Sequence, residues 1–156
     1  MKKLQTLLDT YGESHLNPVN KLIHWICVPA IVYSLFGLLY SIPFFVPQTF
    51  FFNWATVVWV LVLLYYYRLS MAMFLGFIPI GLIMIYINHV IFLNAGSSGG
   101  TLALGSLAIF IAAWIGQFIG HKIEGKKPSF LQDLQYLLIG PAWLLHFIFQ
   151  RVGVKY

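Results

Sequence analysis

The histidines are the side chains of this sequence with the clearest capacity for chemistry, because imidazole nitrogen binds iron, zinc, copper and nickel. The chain has five histidines and a single cysteine. His15 and His24 flank the start of one long apolar segment, His121 follows the end of another, and His146 lies in the last apolar segment. Whether they form one metal site depends on the elements that carry them.

Polar side chains at helical spacing accompany these histidines. Asn20 lies four residues before His24, so the two side chains share one helix face. If the helix of the fourth apolar segment continues past Gly120, one of its faces carries a polar stripe that consists of Trp114, Gln117, His121 and Glu124. We predict that Glu124 either shares a metal with His121 or orients a ligand histidine. The alternative is that it pairs with a nearby lysine in a solvated loop.

The composition requires a membrane around these elements. Hydrophobic residues make up 60% of the chain and charged residues 8%, whereas a soluble domain carries about 25% charged residues. We therefore predict a single integral membrane domain over residues 1–156. The net charge is +5, and the charged residues lie between the apolar segments. This placement indicates a role in orienting the protein in the bilayer rather than binding to nucleic acid.

The apolar segments predict an all-α bundle with an N-terminal interfacial helix, four spans and a short fifth segment. Residues 2–13 have an apolar helix face but are too polar to span, so they lie on the membrane surface or against the bundle. Asn17-Pro18 is typical of a helix start. The predicted spans are 18–40, 50–67, 71–92 and 102–120.

Two further features concern the last two apolar segments. The fifth segment, 134–149, is short and contains Gly140-Pro141, which favours re-entry or a half-span. Small residues at four-residue spacing in the fourth span predict a close approach of another helix, and they are Ala112, Gly116 and Gly120.

The basic residues orient the predicted bundle, since cytoplasmic loops carry an excess of them. With a cytoplasmic N-terminus, one face holds Lys2, Lys3, Lys21, Arg68, Lys122, Lys126 and Lys127, and the loops 41–49 and 93–100 opposite carry no charge. The same face then holds His15, His24 and His121, and also His146 if the fifth segment is re-entrant. His89 lies at the opposite end and is expected to be structural. We expect a bacterial inner membrane rather than endoplasmic reticulum, since no eukaryotic retention signal is present.

Three stretches of the sequence resemble the family of membrane-bound 2-hydroxy fatty acid dioxygenases. They are YGESHLNPVNKLIHWICVP at 11–29, WIGQFIGHKIEGKKPSF at 114–130 and YLLIGPAWLLHFIF at 136–149. The patterns H-x-N-P-x-N-K-x-x-H and Q-F-x-G-H-x-x-E are specific in combination, and the resemblance covers nearly the whole chain.

The resemblance implies an Fe(II)-dependent reaction in which a 2-hydroxy fatty acid and O2 give CO2 and a fatty acid one carbon shorter. It implies His15, His24 and His121 as iron ligands, and it matches His146 and Glu124 less closely. Asn20 and Glu124 are expected to support catalysis from around the ligands. Residues expected to attract or bind the substrate are Lys21, Lys122, Lys126, Lys127 and Gln117.

Two other classes of function stay open at this stage. A small non-enzymatic scaffold, or a carrier for lipid or metal, would also consist of a few helices with glycine breaks. A different metalloenzyme, such as a zinc hydrolase or a desaturase-like oxidase, would also use histidines. Desaturases normally carry H-x-x-H-H boxes, however, and the sequence has none.

Overall fold

Six α-helices make up the part of the chain that this computed structural model describes, residues 2–125 and 136–155. In chain order they are α1 (Lys2–Gly12), α2 (Pro18–Ser41), α3 (Trp54–Leu69), α4 (Met71–Asn94), α5 (Gly99–Glu124) and α6 (Ile139–Val152). The all-helical architecture predicted from the sequence is thus confirmed.

Side-chain caps set the starts of the long helices. The Asn17 side chain accepts hydrogen bonds from the backbone N–H groups at the start of α2, and Pro18 takes the first helical position, as predicted. Helix α3 begins four residues later than the predicted Phe50, because Asn53 caps it and donates to the carbonyl groups of Thr49 and Phe50. The three apolar residues before Asn53 therefore belong to a turn.

In the described part of the chain, three helices are long and apolar enough to cross a membrane, namely α2, α4 and α5. They have 24, 24 and 26 residues, which at about 1.5 Å per residue exceeds the roughly 30 Å hydrocarbon core. Helix α3 is apolar but has only 16 residues. Of the four predicted spans, three thus have full spanning length, and α3 is shorter.

Helices α2 and α5 run antiparallel and pack closely along their length. A Cβ atom added at Gly116 would collide with the Cys27 sulfur, and one added at Gly120 would collide with the Asn20 side chain. Further along, Gly37 in α2 faces Ser106 in α5 in the same way. The predicted small-residue contacts at 116 and 120 are confirmed, because only glycine leaves the required space. This pairing brings the start of α2 to the end of α5.

The two terminal helices pack against each other and close the bundle beside this end. Leu4, Leu8 and Tyr11 on one face of α1 are buried, so α1 lies against the bundle. Helix α6 has 14 residues, or about 21 Å, which is short for a full span. Gly140-Pro141 falls in its first turn, where the missing N–H of proline has little cost.

Candidate metal centre

His15 lies in the short linker between α1 and α2. The linker folds tightly, since the backbone N–H of His15 donates to the Gly12 carbonyl at 2.9 Å. The Nδ1 atom of His15 lies 2.6 Å from the carbonyl oxygen of Tyr11. A carbonyl oxygen only accepts, so Nδ1 carries the proton and the lone pair of the neutral ring is on Nε2.

His24 is held in the same way from within α2. Its Nδ1 atom lies 2.9 Å from the carbonyl oxygen of Asn20, one turn earlier. Donation from Nδ1 again assigns the lone pair to Nε2. A histidine that donates its other ring N–H to a carbonyl is the usual arrangement of a metal ligand, because the hydrogen bond fixes the ring and the tautomer.

His121 comes from the last turn of α5 and meets the other two histidines across the α2–α5 contact. Gly120 precedes it, and the close approach at this glycine brings the His121 ring within 5.1 Å of the His24 ring, between centroids. The centroids of His15 and His24 are 4.2 Å apart, and those of His15 and His121 are 5.6 Å apart. Three separate elements thus deliver one imidazole each.

The three histidines fit the requirements of a metal site. One ring nitrogen from each lies within 4.8 Å of the others, and two metal–nitrogen bonds of about 2.1 Å place ligand atoms roughly 3–4 Å apart. The side chains are 2%, 1% and 7% exposed for His15, His24 and His121 respectively. Three neutral imidazoles leave coordination positions for other molecules, and they suit iron as well as zinc.

Glu124 fastens the start of α2 to the end of α5. Its two carboxylate oxygens accept hydrogen bonds from the backbone N–H of Leu16 at 2.8 Å, the backbone N–H of Asn17 at 2.9 Å and the side-chain amide of Asn20 at 2.9 Å. These bonds occupy both oxygens, and Glu124 does not belong to the group of three histidines. The carboxylate therefore positions the linker that carries His15.

Asn20 connects this carboxylate with both of the histidines near the start of α2. Its side-chain amide donates to Glu124 and to the carbonyl of Ser14 at 3.2 Å, and its own carbonyl accepts from His24. Asn20 is fully buried. One residue thus positions the linker next to His15, the ring of His24 and the end of α5.

Two aromatic residues enclose His15, and the sequence did not single them out for the site. The Tyr11 ring stacks on the His15 ring with 4.2 Å between centroids and an interplanar angle of 18°. The Trp143 ring of α6 lies 5.2 Å from His15. Tyr11 lies four residues before His15, and its backbone carbonyl is the one that holds the His15 ring. No sequence pattern indicates Trp143, which is distant along the chain.

Neither of the other two histidines belongs to the group of three. His146 in α6 is buried, and its ring lies 5.3 Å from that of Phe147. Burial lowers the pKa of His146, and the negative charge of Asp9 in α1 partly opposes this shift. His89 lies near the other end of the bundle, with Nδ1 2.7 Å from the hydroxyl oxygen of Tyr40.

The residues predicted to bind substrate divide between the surface and a cleft. Lys21 is half-buried and Lys122 is exposed, both on helix ends next to the histidines. Lys126 and Lys127 lie outside the described residues. Gln117 is buried and lines a narrow cleft, whose other walls are Tyr11, Val28, Ile31, Val32, Trp114, Tyr136, Leu137, Gly140 and Pro141.

Comparison with known proteins agrees with the resemblance noted in the sequence. The family model described as 2-hydroxy-palmitic acid dioxygenase Mpo1-like matches residues 1–152. The 2-hydroxy-palmitic acid dioxygenase MPO1 of Saccharomyces cerevisiae is 28% identical over 154 residues, which cover 96% of this chain and 82% of the yeast protein. No solved structure matches the chain. Because the family match extends over nearly all of the sequence, the chain belongs to the Mpo1-like family.

Proposed function

We propose that this protein is an Fe(II)-dependent dioxygenase that converts a 2-hydroxy fatty acid and O2 into a fatty acid one carbon shorter, CO2 and water. The observation that carries the proposal is the convergence of three buried imidazoles, two of them with Nδ1 fixed on a backbone carbonyl. The name of the yeast relative supplies the substrate class, and the choice of iron rests on the family resemblance.

His15, His24 and His121 would hold the metal, which when bound supplies the site that activates O2. The chain's own residues keep this site intact. The bonds from Tyr11 and Asn20 keep the Nε2 lone pairs of His15 and His24 available. The rings of Tyr11 and Trp143 cover His15 and exclude water from it. Burial of this kind strengthens every electrostatic interaction within the site.

The proposal gives Asn20 and Glu124 a positioning role rather than contact with the reacting atoms. The Glu124 carboxylate holds the linker through the backbone of Leu16 and Asn17. Through Asn20 it also reaches the carbonyl that orients His24. Without these hydrogen bonds, His15 and His24 would no longer be held in fixed positions relative to α5.

The charge distribution favours a site on the cytoplasmic face of the membrane, in a bacterial inner membrane or, in a eukaryote, the endoplasmic reticulum. Lys21 and Lys122 lie at the helix ends beside the histidines, and Arg68 lies in the last turn of α3. Excess positive charge is typical of cytoplasmic ends. The same charges would attract the carboxylate of an acidic substrate by long-range steering.

A turnover assay tests the proposed function. The protein is purified without oxygen, loaded with Fe(II) and mixed with 2-hydroxypalmitate in air-saturated buffer. The expected result is pentadecanoate and CO2 in equal amounts, with an equal amount of O2 consumed. The deoxy acid palmitate serves as the control substrate and is expected to give no CO2, because it lacks the 2-hydroxyl group.

Two results would contradict the proposal and separate it from other functions. If purified protein with stoichiometric iron releases no CO2 from 2-hydroxy acids of any chain length, the reaction is wrong. If the protein binds zinc rather than iron, and iron loading yields no O2 consumption, a zinc enzyme or a metal carrier replaces the dioxygenase.

A further inference from the structure

The cleft beside the histidines continues the two helix faces that carry them. On α2, Val28 and Ile31 follow His24 by four and seven residues, which is the spacing of one helix face. On α5, Gln117 and Trp114 precede His121 by four and seven residues. Because α2 and α5 are antiparallel, both pairs lie in the same direction from the histidines, about 6 Å and 10 Å along the helix axes.

The wall of this cleft carries a polar amide near the histidines and apolar side chains of α2 further from them. Gln117 is 6% exposed and lines the cleft. Within the described residues, 2–125 and 136–155, no hydrogen bond uses its amide. Val28, Ile31 and Val32 form the apolar wall on α2, and Pro141 of α6 contributes to the opposite side. The cleft therefore offers the buried Gln117 amide next to the candidate metal site and an apolar wall of α2 beyond it.

We infer that this cleft holds the acyl chain of the substrate and that the Gln117 amide binds the polar head beside the histidines. The inference rests on the proposed function and adds the place and direction of the substrate. A 2-hydroxy fatty acid has a carboxylate and a hydroxyl group at one end and methylene groups elsewhere. Gln117 is a positioning residue here, since its N–H groups donate to head-group oxygens.

The geometry also explains how substrate reaches the site. Val32 is half-buried, as are Leu137 and Pro141 across the cleft, so among the described residues the apolar part of the cleft is open at its side. A fatty acid in the bilayer has its chain among lipids and its head at the interface. It fits the cleft in that same orientation, with the head at the ends of α2 and α5 where the histidines are.

Chain-length selectivity tests the acyl part of this inference. In Val32→Trp, the larger side chain enters the cleft about 12 Å beyond His24 along α2. We expect kcat/KM to fall about tenfold for 2-hydroxypalmitate and to stay the same for 2-hydroxyoctanoate. The matched control is Ile26→Trp, also on α2, because Ile26 is 65% exposed and faces away from the cleft. Equal loss on both substrates in Val32→Trp, or the same chain-length shift in the control, would overturn the inference.

The head-group part has its own kinetic test. Gln117→Leu keeps the approximate size of the side chain and removes its amide group. We expect KM for 2-hydroxypalmitate to rise about tenfold, because one hydrogen bond to a charged group is lost, while bound iron stays at the wild-type amount. A variant with unchanged KM would show that Gln117 does not bind the head.

Photocrosslinking supplies a readout that does not depend on turnover. A 2-hydroxypalmitate analogue with a diazirine in the middle of its chain is irradiated with the iron-loaded protein. We expect labelling of the peptide that contains Ile31 and Val32 and of Trp114, and loss of that labelling when excess 2-hydroxypalmitate competes. Competable labelling confined to other helices would overturn the cleft assignment. The proposed function would still stand, since turnover is measured separately.

Discussion

The two ends of the bundle each contain a histidine in contact with a tyrosine, yet their surroundings differ. At one end, His89 is half-buried beside the Tyr40 hydroxyl, which itself donates to the carbonyl of Thr49 at 3.1 Å. At the other end, three buried imidazoles from separate elements converge, and backbone carbonyls hold two of them through Nδ1. A single histidine bonded to a neighbouring side chain stabilises helix packing, whereas convergence from three elements indicates a metal ligand set.

The two ends of the bundle also differ in the groups that hold their helices together. At the end with His89, Gly37 of α2 packs against the uncharged side chains of Asn88 and Ser106. At the histidine end, the Glu124 carboxylate crosses from α5 to the backbone before α2. Hydrogen bonds to a charged group are about twice as strong as those between neutral groups. The site end is therefore fixed more firmly, which suits ligands that must keep their geometry.

The largest expected effect comes from removing one of the proposed ligands at the site end. In His24→Ala, we expect bound iron to disappear and turnover of 2-hydroxypalmitate to fall by about 100-fold or more, since loss of groups around metal ligands alone costs about 10–100-fold. Metal analysis and CO2 release measure both effects. His89→Ala is the matched control at the other end and is expected to keep its iron. Iron loss in both variants would contradict the assignment of metal binding to one end of the bundle and a structural histidine to the other.

The next effect concerns the carboxylate that positions His15. In Glu124→Ala, we expect the Fe(II) affinity to fall about 10–100-fold, because the linker loses its attachment to α5. The measurement is anaerobic Fe(II) titration of the protein in detergent. Glu13→Ala, one residue beyond α1, is the control that removes a carboxylate from the same linker. An unchanged affinity in Glu124→Ala would show that the linker holds its place without this residue.

A smaller effect follows from the close approach of α2 and α5. Gly120→Ala places a methyl group against the Asn20 side chain, and we expect a loss of about 1–3 kcal/mol in stability and weaker iron binding. Gly105→Ala lies on the same helix with nothing within 4 Å of the added Cβ, and it should stabilise α5 by up to about 1 kcal/mol. Thermal unfolding in detergent compares the two variants. Equal behaviour would contradict the packing described at Gly120.

The smallest effect belongs to the histidine at the other end. In His89→Phe, the Tyr40 hydroxyl retains its bond to Thr49, so we expect a loss of only about 0.5–1.5 kcal/mol in stability and no change in bound iron or KM. Thermal unfolding and metal analysis of the same preparation check this. A drop in iron content would place His89 in the functional machinery and contradict its structural role.

Much of the fold could be predicted because local physical rules determine it. The leucine spacing in α1 and the Asn17-Pro18 cap act through residues about one turn away. The glycines at 116 and 120 act through the space that they leave for a neighbouring helix. The start of α3 was predicted too early, since Phe50 to Phe52 are as apolar as a span. Only the hydrogen bonds of Asn53 to the preceding turn reveal its true start.

The sequence predicted the convergence of His15, His24 and His121, but it also offered His146 as a member of the group, and it did not indicate the supporting contacts. The even number of segments between His24 and His121 places both at one end, which requires no knowledge of side-chain packing. The bonds from Glu124 to the backbone of Leu16 and Asn17 depend on the path of the linker, and that path is a tertiary feature. The contact of Trp143 with His15 likewise depends on how α6 docks, for which the sequence has no periodic signal.

Metal analysis of the purified protein shows whether His15, His24 and His121 form an iron centre. The wild-type protein and His121→Ala are purified without oxygen, loaded with Fe(II), freed of excess metal and analysed for iron and zinc. We expect equimolar iron in the wild type, the same amount in His89→Phe and almost none in His121→Ala. Wild-type protein that retains no iron, or His121→Ala protein that retains the full amount, would contradict the assignment of these histidines as the iron centre.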